Sequence, residues 1–262
     1  MGGASLARTA LISDMHGNME ALTVVLRTID SLGVDAIVSV GDSVDYGPRP
    51  KEVLAALQER QVLGVKGNHD AAVTGEIGWE RFAHIHEPAL RWTQQTLADA
   101  DKAYLMALPE VLDLGWGYLV HGSTFEHLWH YVADATQAMM VFRRSKEVLH
   151  IVGHTHVGTA YQYSEQRQVK IVPGRPRQRG ITEMGSRCLE FAEHSRYIIN
   201  PGSVGQPRDA DPRAAFAVVE HDTSQAYSVT WYRVPYDWDL VRSQILDAGL
   251  PELFGDRLLQ GR

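Results

Sequence analysis

Arg8-Thr9-Ala10-Leu11-Ile12-Ser13-Asp14-Met15-His16-Gly17-Asn18 is the stretch on which the reading of the fold turns. Residues 8–13 form a short, mainly apolar run of strand length that stops at a carboxylate, as a buried strand does where the backbone leaves a sheet. Just beyond it, Ala21, Leu22, Val25, Leu26, Ile29 and Leu32 recur at helical spacing. Asn18 supplies an N-cap for that helix and Gly33 a stop. The alternation then repeats. Residues 35–40 read as a strand ending at Gly41-Asp42, Pro50 opens a helix carrying Val53, Leu54 and Leu57, and 61–66 read as a strand ending at Gly67-Asn68-His69-Asp70. Strand, helix, strand, helix, strand predicts an α/β sheet.

Farther along, 79–108 has a helical pattern broken at Pro88 and stopped at Pro109. Strands follow at 110–114 and 117–120, the second ending at His121. A helix is expected over 134–144. A strand over 148–152 runs into Gly153-His154-Thr155-His156. Between 159 and 200 short strand-like runs alternate with a Gly/Pro/Arg loop, 214–219 and 227–234 suggest a hairpin, and a last helix spans 238–248. With no repeat, low-complexity tract or linker, the expectation is one domain over 1–262 with a helical insert around 79–108.

Bulk properties narrow the function. The 262 residues are enough to bury a real core, and 44% apolar with 22% charged side chains is ordinary globular composition. No apolar run approaches the ~20 residues of a membrane span. The first eight residues lack a signal-peptide core, so the cytoplasm is the expected location. Cys188 is the single cysteine, which excludes an internal disulfide and a thiolate metal cluster. A net charge of −7 gives no general attraction to nucleic-acid polymers or anionic membranes. A phosphate-bearing ligand must be drawn in locally.

Five successive expected strands end in metal-capable side chains: Asp14 with His16, Asp42, Asn68 with His69, His121, and His154 with His156. Singly these are weak signals, since Asp-x-His is expected roughly once by chance at this composition. His84-Ile85-His86 is a His-x-His pair too, but falls in a helical segment and reads as surface or packing histidines; His127 and His130 read as structural or rim residues. The ordered set at strand ends is what chance does not supply. On extended backbone, residues i and i+2 point the same way, so Asp14 and His16 can face one ion together. Carboxylate, imidazole and amide oxygen suit Mn, Fe, Zn, Co or Ni. Two such ions about 3.5–4 Å apart can grip both sides of an in-line displacement.

In order, D-M-H-G-N (14–18), G-D-S-V-D (41–45), G-N-H-D (67–70), H-G (121–122) and G-H-T-H (153–156) resemble the five blocks of the calcineurin-like metallophosphoesterases. N-P-G-S-V-G-Q-P-R-D (200–209) and R-V-P-Y-D (233–237) are similar to the bacterial and archaeal phosphodiesterase-like branch. The resemblance covers essentially the whole chain. It implies a four-layer α/β/β/α sandwich of two mixed sheets and a dinuclear metal site at the strand ends. Carried over, Asp14, His16 and His156 would bind one ion, Asn68, His121 and His154 the other, and Asp42 would bridge them. It further implies attack by a metal-bridging hydroxide, with His69 as general acid and Asp45 orienting its ring.

One departure bears on substrate. The serine/threonine phosphatases of the superfamily carry a phosphate-clamping arginine directly after the second aspartate of G-D-x-x-D, where this chain has Tyr46. A phenol cannot supply a charged fork. This favours a phosphodiesterase or nucleotide phosphohydrolase acting on small nucleotides over the alternative, a phosphomonoesterase or protein phosphatase. A non-catalytic scaffold is disfavoured because His69 and the whole ligand set are present. Arg208 is read as a phosphate contact or a structural salt bridge. Phe82, His86, Arg91 and Trp92 are read as one wall of the pocket, with the apolar stripe of the insert as core. The basic loop 170–179 is read as a recruiter of phosphate-rich ligands or a solvated loop.

Overall fold

A computed structural model describes residues 6–176 and 181–262 of the chain. Among the described residues the strands form two six-stranded mixed sheets. In the first, β1 (Ala7–Ile12) runs parallel to β2 (Ala36–Ser39), and β2 to the short β3 (Leu63–Gly64). On its other side β1 pairs antiparallel with β11 (Ala214–His221), followed by β12 (Ala226–Val234) and β9 (Gly185–Glu190). The second sheet takes β4 (Val111–Asp113), β5 (Tyr118–Val120), β6 (Leu149–Ile151), β10 (Arg196–Asn200), β7 (Thr159–Tyr163) and β8 (Val169–Pro173) in that spatial order.

The period-two alternation of side chains turns these sheets into layers. On β1, Ala10 and Ile12 join Leu22 and Val25 of α1 (Met19–Leu32) and Val241 and Ile245 of α7 (Trp238–Asp247). Leu11, between them, faces the other way and packs with Leu119, Ile151 and Trp231 in the core shared by the two sheets. On β10, Tyr197 and Ile199 enter that shared core, while Ile198 meets Val141 and Phe142 of α6 (Ala135–Arg144). Helix, sheet, sheet, helix is the expected four-layer sandwich. A further cluster joins Leu54 of α2 (Pro50–Glu59), Val73 of α3 (Asn68–Thr74), Leu90 of α4 (Glu87–Thr96) and Leu105 of α5 (Asp99–Ala107), so the apolar stripe within 79–108 is core. Among the described residues no helix is long and apolar enough to cross a membrane.

Several expectations are corrected. Pro88 does not break a helix but lies in the first turn of α4, where its missing N–H costs nothing; the break falls between α4 and α5. The strands expected over 61–66 and 148–152 are shorter, Leu63–Gly64 and Leu149–Ile151. Helix α3 was not expected, nor was α8 (Glu252–Gln260), which carries Gly255 inside it. A Cβ at Gly255 would stand 2.8 Å from Arg242 Cγ, so close packing of α8 on α7 requires the residue that argues against a helix in sequence. The alternating runs of 159–200 are not one sheet, because β9 crosses to the first sheet and β10 returns to the second. In the basic loop, residues 177–179 lie outside the described residues.

Asn18 does more than cap. Its Oδ1 accepts the Ala21 N–H at 3.1 Å, and its Nδ2 donates to the Gly205 carbonyl at 2.9 Å. Asn18→Ala is expected to cost ~1–2 kcal/mol, a fall of roughly 4 °C in the thermal midpoint of the metal-free protein. An unchanged midpoint would remove the cap from the account.

Candidate metal centre

Loops after strands of both sheets converge on one buried pocket. Asp14 and His16 follow β1, Asp42 follows β2, and Asn68 opens α3 after β3. His121 follows β5, and His154 and His156 follow β6. All seven are buried. Three overlapping groups place ligand-capable atoms within 4.8 Å of one another: Asp14, His16 and His156; His16, Asp42 and His69; Asp42, His121 and His154. The i, i+2 pairs do not converge along extended backbone as expected. Asp14, His16, His154 and His156 have φ of 52°, 47°, 66° and 60°, in the left-handed region, as do Asp42, Asp45 and Tyr46 at 54°, 73° and 61°. Each costs free energy that surrounding contacts must offset, and such residues collect at functional sites.

The donor set fits a metal. His16, His121 and His156 each have Nδ1 on a backbone carbonyl: Val44 at 3.1 Å, Val40 at 2.7 Å and Gln206 at 2.6 Å. A carbonyl only accepts, so each Nδ1 holds the proton, and a neutral ring presents its Nε2 lone pair to the pocket. His154 turns its Nδ1 to the cluster, 3.2 Å from His121 Nε2, and Asp14 Oδ1 and Asp42 Oδ2 are buried without a hydrogen-bond partner among the described residues. Such atoms are costly unless something else satisfies them, and a cation does so directly. Asp42 Oδ2 lies 3.2 Å from His121 Nε2 and 3.8 Å from His16 Nε2, between the two halves of the cluster.

His69 stands beside this cluster. Its Nδ1 is 2.7 Å from Asp45 Oδ2, and its Nε2 is 3.1 Å from the Tyr46 hydroxyl. Tyr46 is 3% exposed, and its hydroxyl is also 2.9 Å from His86 Nδ1. The reading of His86 as an ordinary surface or packing histidine is therefore corrected, whereas its neighbour His84 is a surface residue bonded to Glu87. His86 lies in a single 3-10 turn ahead of α4. A His-x-His pair carries no mark of which member turns inward; it is the reading of His86 with Phe82 as one wall of the pocket that agrees with this placement. Phe82 packs edge-on to His69, with centroids 4.9 Å apart, and touches Trp129 at 4.9 Å. Tyr131 stacks on His154 at 3.8 Å. Arg91 and Trp92 do not join this wall: Arg91 lies over Trp79, and Trp92 packs against the α1 side of the first sheet.

Arg208 donates to Gln206 Oε1 at 3.0 Å, and its Nε has no partner among the described residues. Its neighbour Asp209 takes the buried ion pair, with Arg233. His127 and His130 bond to Glu110 and Gln137.

The family profile of the calcineurin-like phosphoesterase superfamily domain matches residues 8–224. The chain belongs to that superfamily. A metallophosphoesterase from Sphaerobacter thermophilus superposes with a TM-score of 0.84 at 36% identity, covering 98% of this chain and 100% of the other. An uncharacterized protein of Methanocaldococcus jannaschii, MJ0912, is 30% identical over 97% of this chain and 98% of its own length. Phosphodiesterase YfcE of Escherichia coli is 24% identical over 80% of this chain and 85% of its own. This calcineurin-like chain is a metal-dependent phosphoester hydrolase.

Its protonation equilibria follow from burial and the crowding of charges. Burial disfavours the His121 imidazolium, but the carboxylates of Asp42 and Asp14 outweigh it and raise the pKa to about 9. For His16 and His154, burial and neighbouring imidazoles hold the pKa well below the usual value. A metal competes with protons for these rings. Near neutral pH the phosphoesterase is therefore expected to release protons as it takes up metal. Calorimetric titration in buffers of different ionisation enthalpy reads this; heats independent of buffer would contradict a protonated His121.

Proposed function

We propose that this phosphoesterase hydrolyses small phosphodiesters, nucleotides among them, on a centre of two divalent ions. Asp14, His16 and His156 would hold one ion and Asn68, His121 and His154 the other, with Asp42 available to both. When bound, such ions supply an acidified water as nucleophile and neutralise charge on the phosphoryl oxygens. The protein's groups do the rest. Burial works against a charged His69, but Asp42 and Asp45 outweigh it and raise its pKa. An imidazole protonated near neutral pH can give its proton to a leaving alkoxide, and the Asp45 carboxylate fixes its orientation. Arg208 contacts the phosphoryl group with its unpartnered Nε, and Tyr46 meets the substrate through His69, which its hydroxyl touches.

The diester reading rests on one observation: an uncharged, buried Tyr46 where related monoesterases carry an arginine. A diester has one negative charge at the reacting phosphorus and a monoester up to two, so losing a guanidinium penalises the monoester more. The phosphodiesterase named among the relatives and the partly exposed faces of Trp129, Phe82 and Tyr131, able to stack on a nucleobase, support it.

Turnover of a bis-aryl phosphate is expected to exceed that of the aryl monoester with Mn, Co, Ni, Mg or Zn, manganese among the activating ions. Clear monoester preference with every ion would overturn the diester reading. His69→Ala is expected to keep its metal and lose ~10²–10⁴-fold in kcat. Asp42→Asn is expected to lose metal from both positions on dialysis, as metal analysis would show.

A further inference from the structure

Helix α8 brings a cation to the edge of the pocket from the far end of the chain. Phe254, Arg257 and Gly261 stand at i, i+3 and i+7, so they share one stripe of that helix and its cap. Both ends of the stripe are anchored. Phe254 packs on Tyr46 and His86, with centroids 4.8 and 5.8 Å apart. The Gly261 carbonyl accepts the Ala210 N–H at 2.9 Å, and a Cβ on Gly261 would stand 2.6 Å from the Asp211 nitrogen. Arg257 therefore lies between the Tyr46–His86 pair and the loop that carries Arg208. Besides burial and His69, the charges of Arg257 and Arg208 both reach the His86 ring and lower its pKa.

Neither guanidinium is neutralised. The carboxylates of α8, Glu252 and Asp256, both pair with Arg242 of α7, at 2.7 and 2.8 Å. On the Arg208 loop, Asp209 pairs with Arg233 and Asp211 with Arg213 and Arg175. The surrounding arginines thus each meet a carboxylate, whereas among the described residues Arg208 and Arg257 meet none. Arg208 donates to the neutral Gln206 Oε1 and lies beside the Tyr131 hydroxyl. Arg257 is half-buried and enters no side-chain hydrogen bond or ion pair among the described residues. Two like charges held near one ring repel each other unless an anion joins them, and in a chain of net charge −7 they form a local positive edge. Arg208 serves the reacting phosphoryl group in the proposed function, which leaves Arg257 for a group further along the substrate. We propose that Arg257 is a specificity-determining residue that binds a second phosphate of the substrate, so that the preferred diester is a nucleotide carrying more than one phosphate. The inference rests on the diester reading and agrees with it. Tyr46 in place of an arginine penalises extra charge at the reacting phosphorus, whereas Arg257 receives charge one group away.

One diester in three forms tests this: a dinucleoside monophosphate bare, with a terminal phosphate at its 5′ end, and with one at its 3′ end. The bond cleaved is the same in all three, and a bis-aryl phosphate serves as reference. Wild type, Arg257→Ala and Arg257→Lys are compared after metal content and thermal midpoint are found equal, as expected for a residue without an ion pair. For wild type, at least one phosphorylated form is expected to exceed the bare one roughly 10-fold in kcat/KM, mainly through KM, with the advantage shrinking as salt rises. Arg257→Ala is expected to abolish the advantage and leave bis-aryl turnover unchanged. Arg257→Lys, which keeps the charge without the planar fork, is expected to keep part of it. No gain from a terminal phosphate at either end, a gain that Arg257→Ala retains, or an equal loss on the bis-aryl phosphate would each overturn the subsite. A wild-type enzyme that prefers the aryl monoester to the bis-aryl phosphate with every ion would instead overturn the diester reading beneath it.

Discussion

The carboxylate of Asp42 lies where the loops of the two sheets meet, and the geometry of the pocket depends on keeping it there. One oxygen receives the His69 backbone N–H at 2.9 Å; the other faces the imidazoles of His121 and His16. A second buried carboxylate, Asp70, sits beneath it and accepts the N–H groups of Asp42 and Ser43, each at 2.9 Å, and of Gly67 at 3.0 Å. Burial and the Asp42 charge raise the Asp70 pKa to about 7 against these donors, which fix the Asp42 backbone from below. Gly67 is forced by the same contact, since a Cβ there would stand 2.0 Å from Asp42 Oδ1. Burying carboxylates without compensation costs several kcal/mol each. Here imidazoles and backbone N–H groups compensate in part, and a bound cation would add to this.

Left-handed backbone at so many pocket residues needs its own support. Each such non-glycine residue costs on the order of 1–3 kcal/mol. The loops offset this by bonding to one another rather than to their own strands: Asp14 N to Gly41 O, His16 N to Asp42 O, Gly17 N to Ser43 O, and Gly205 N to Asp14 O, all between 2.9 and 3.0 Å. The loop after β10 is tied into this network and fixed from outside by buried ion pairs, Asp209 with Arg233 and Asp211 with Arg213. It thereby supplies the Gln206 carbonyl that sets the His156 tautomer and carries Arg208 to the pocket. A ligand held this way is pre-oriented before any ion or substrate arrives.

Much of this was legible in the chain. Periodicity placed α1, α6 and α7 to within one or two residues and the start of α2 at Pro50, with Asn18 as a side-chain cap. Ordered strand-end carboxylates, imidazoles and the Asn68 amide singled out eight residues that meet in the pocket, His69 among them. Other parts were hidden for identifiable reasons. Helix α3 is only about two turns long, too short to show an apolar stripe, and α8 carries a glycine demanded by its neighbour. The apparent rule that i and i+2 side chains share a direction gave the right pairs for the wrong cause, because the backbone there is left-handed.

What the sequence by itself determined was the class of chemistry: side-chain type and order along the chain are local properties, and they suffice to name a carboxylate–imidazole metal site on an α/β sheet. Only tertiary structure decided that Asp209 rather than Arg208 enters the ion pair, that β9 and β10 belong to different sheets, and that His86 but not His84 reaches Tyr46. Each of these turns on the direction of a side chain or strand relative to a partner distant in sequence. Such directions are set by packing across the sandwich, and no pattern of neighbours along the chain encodes them.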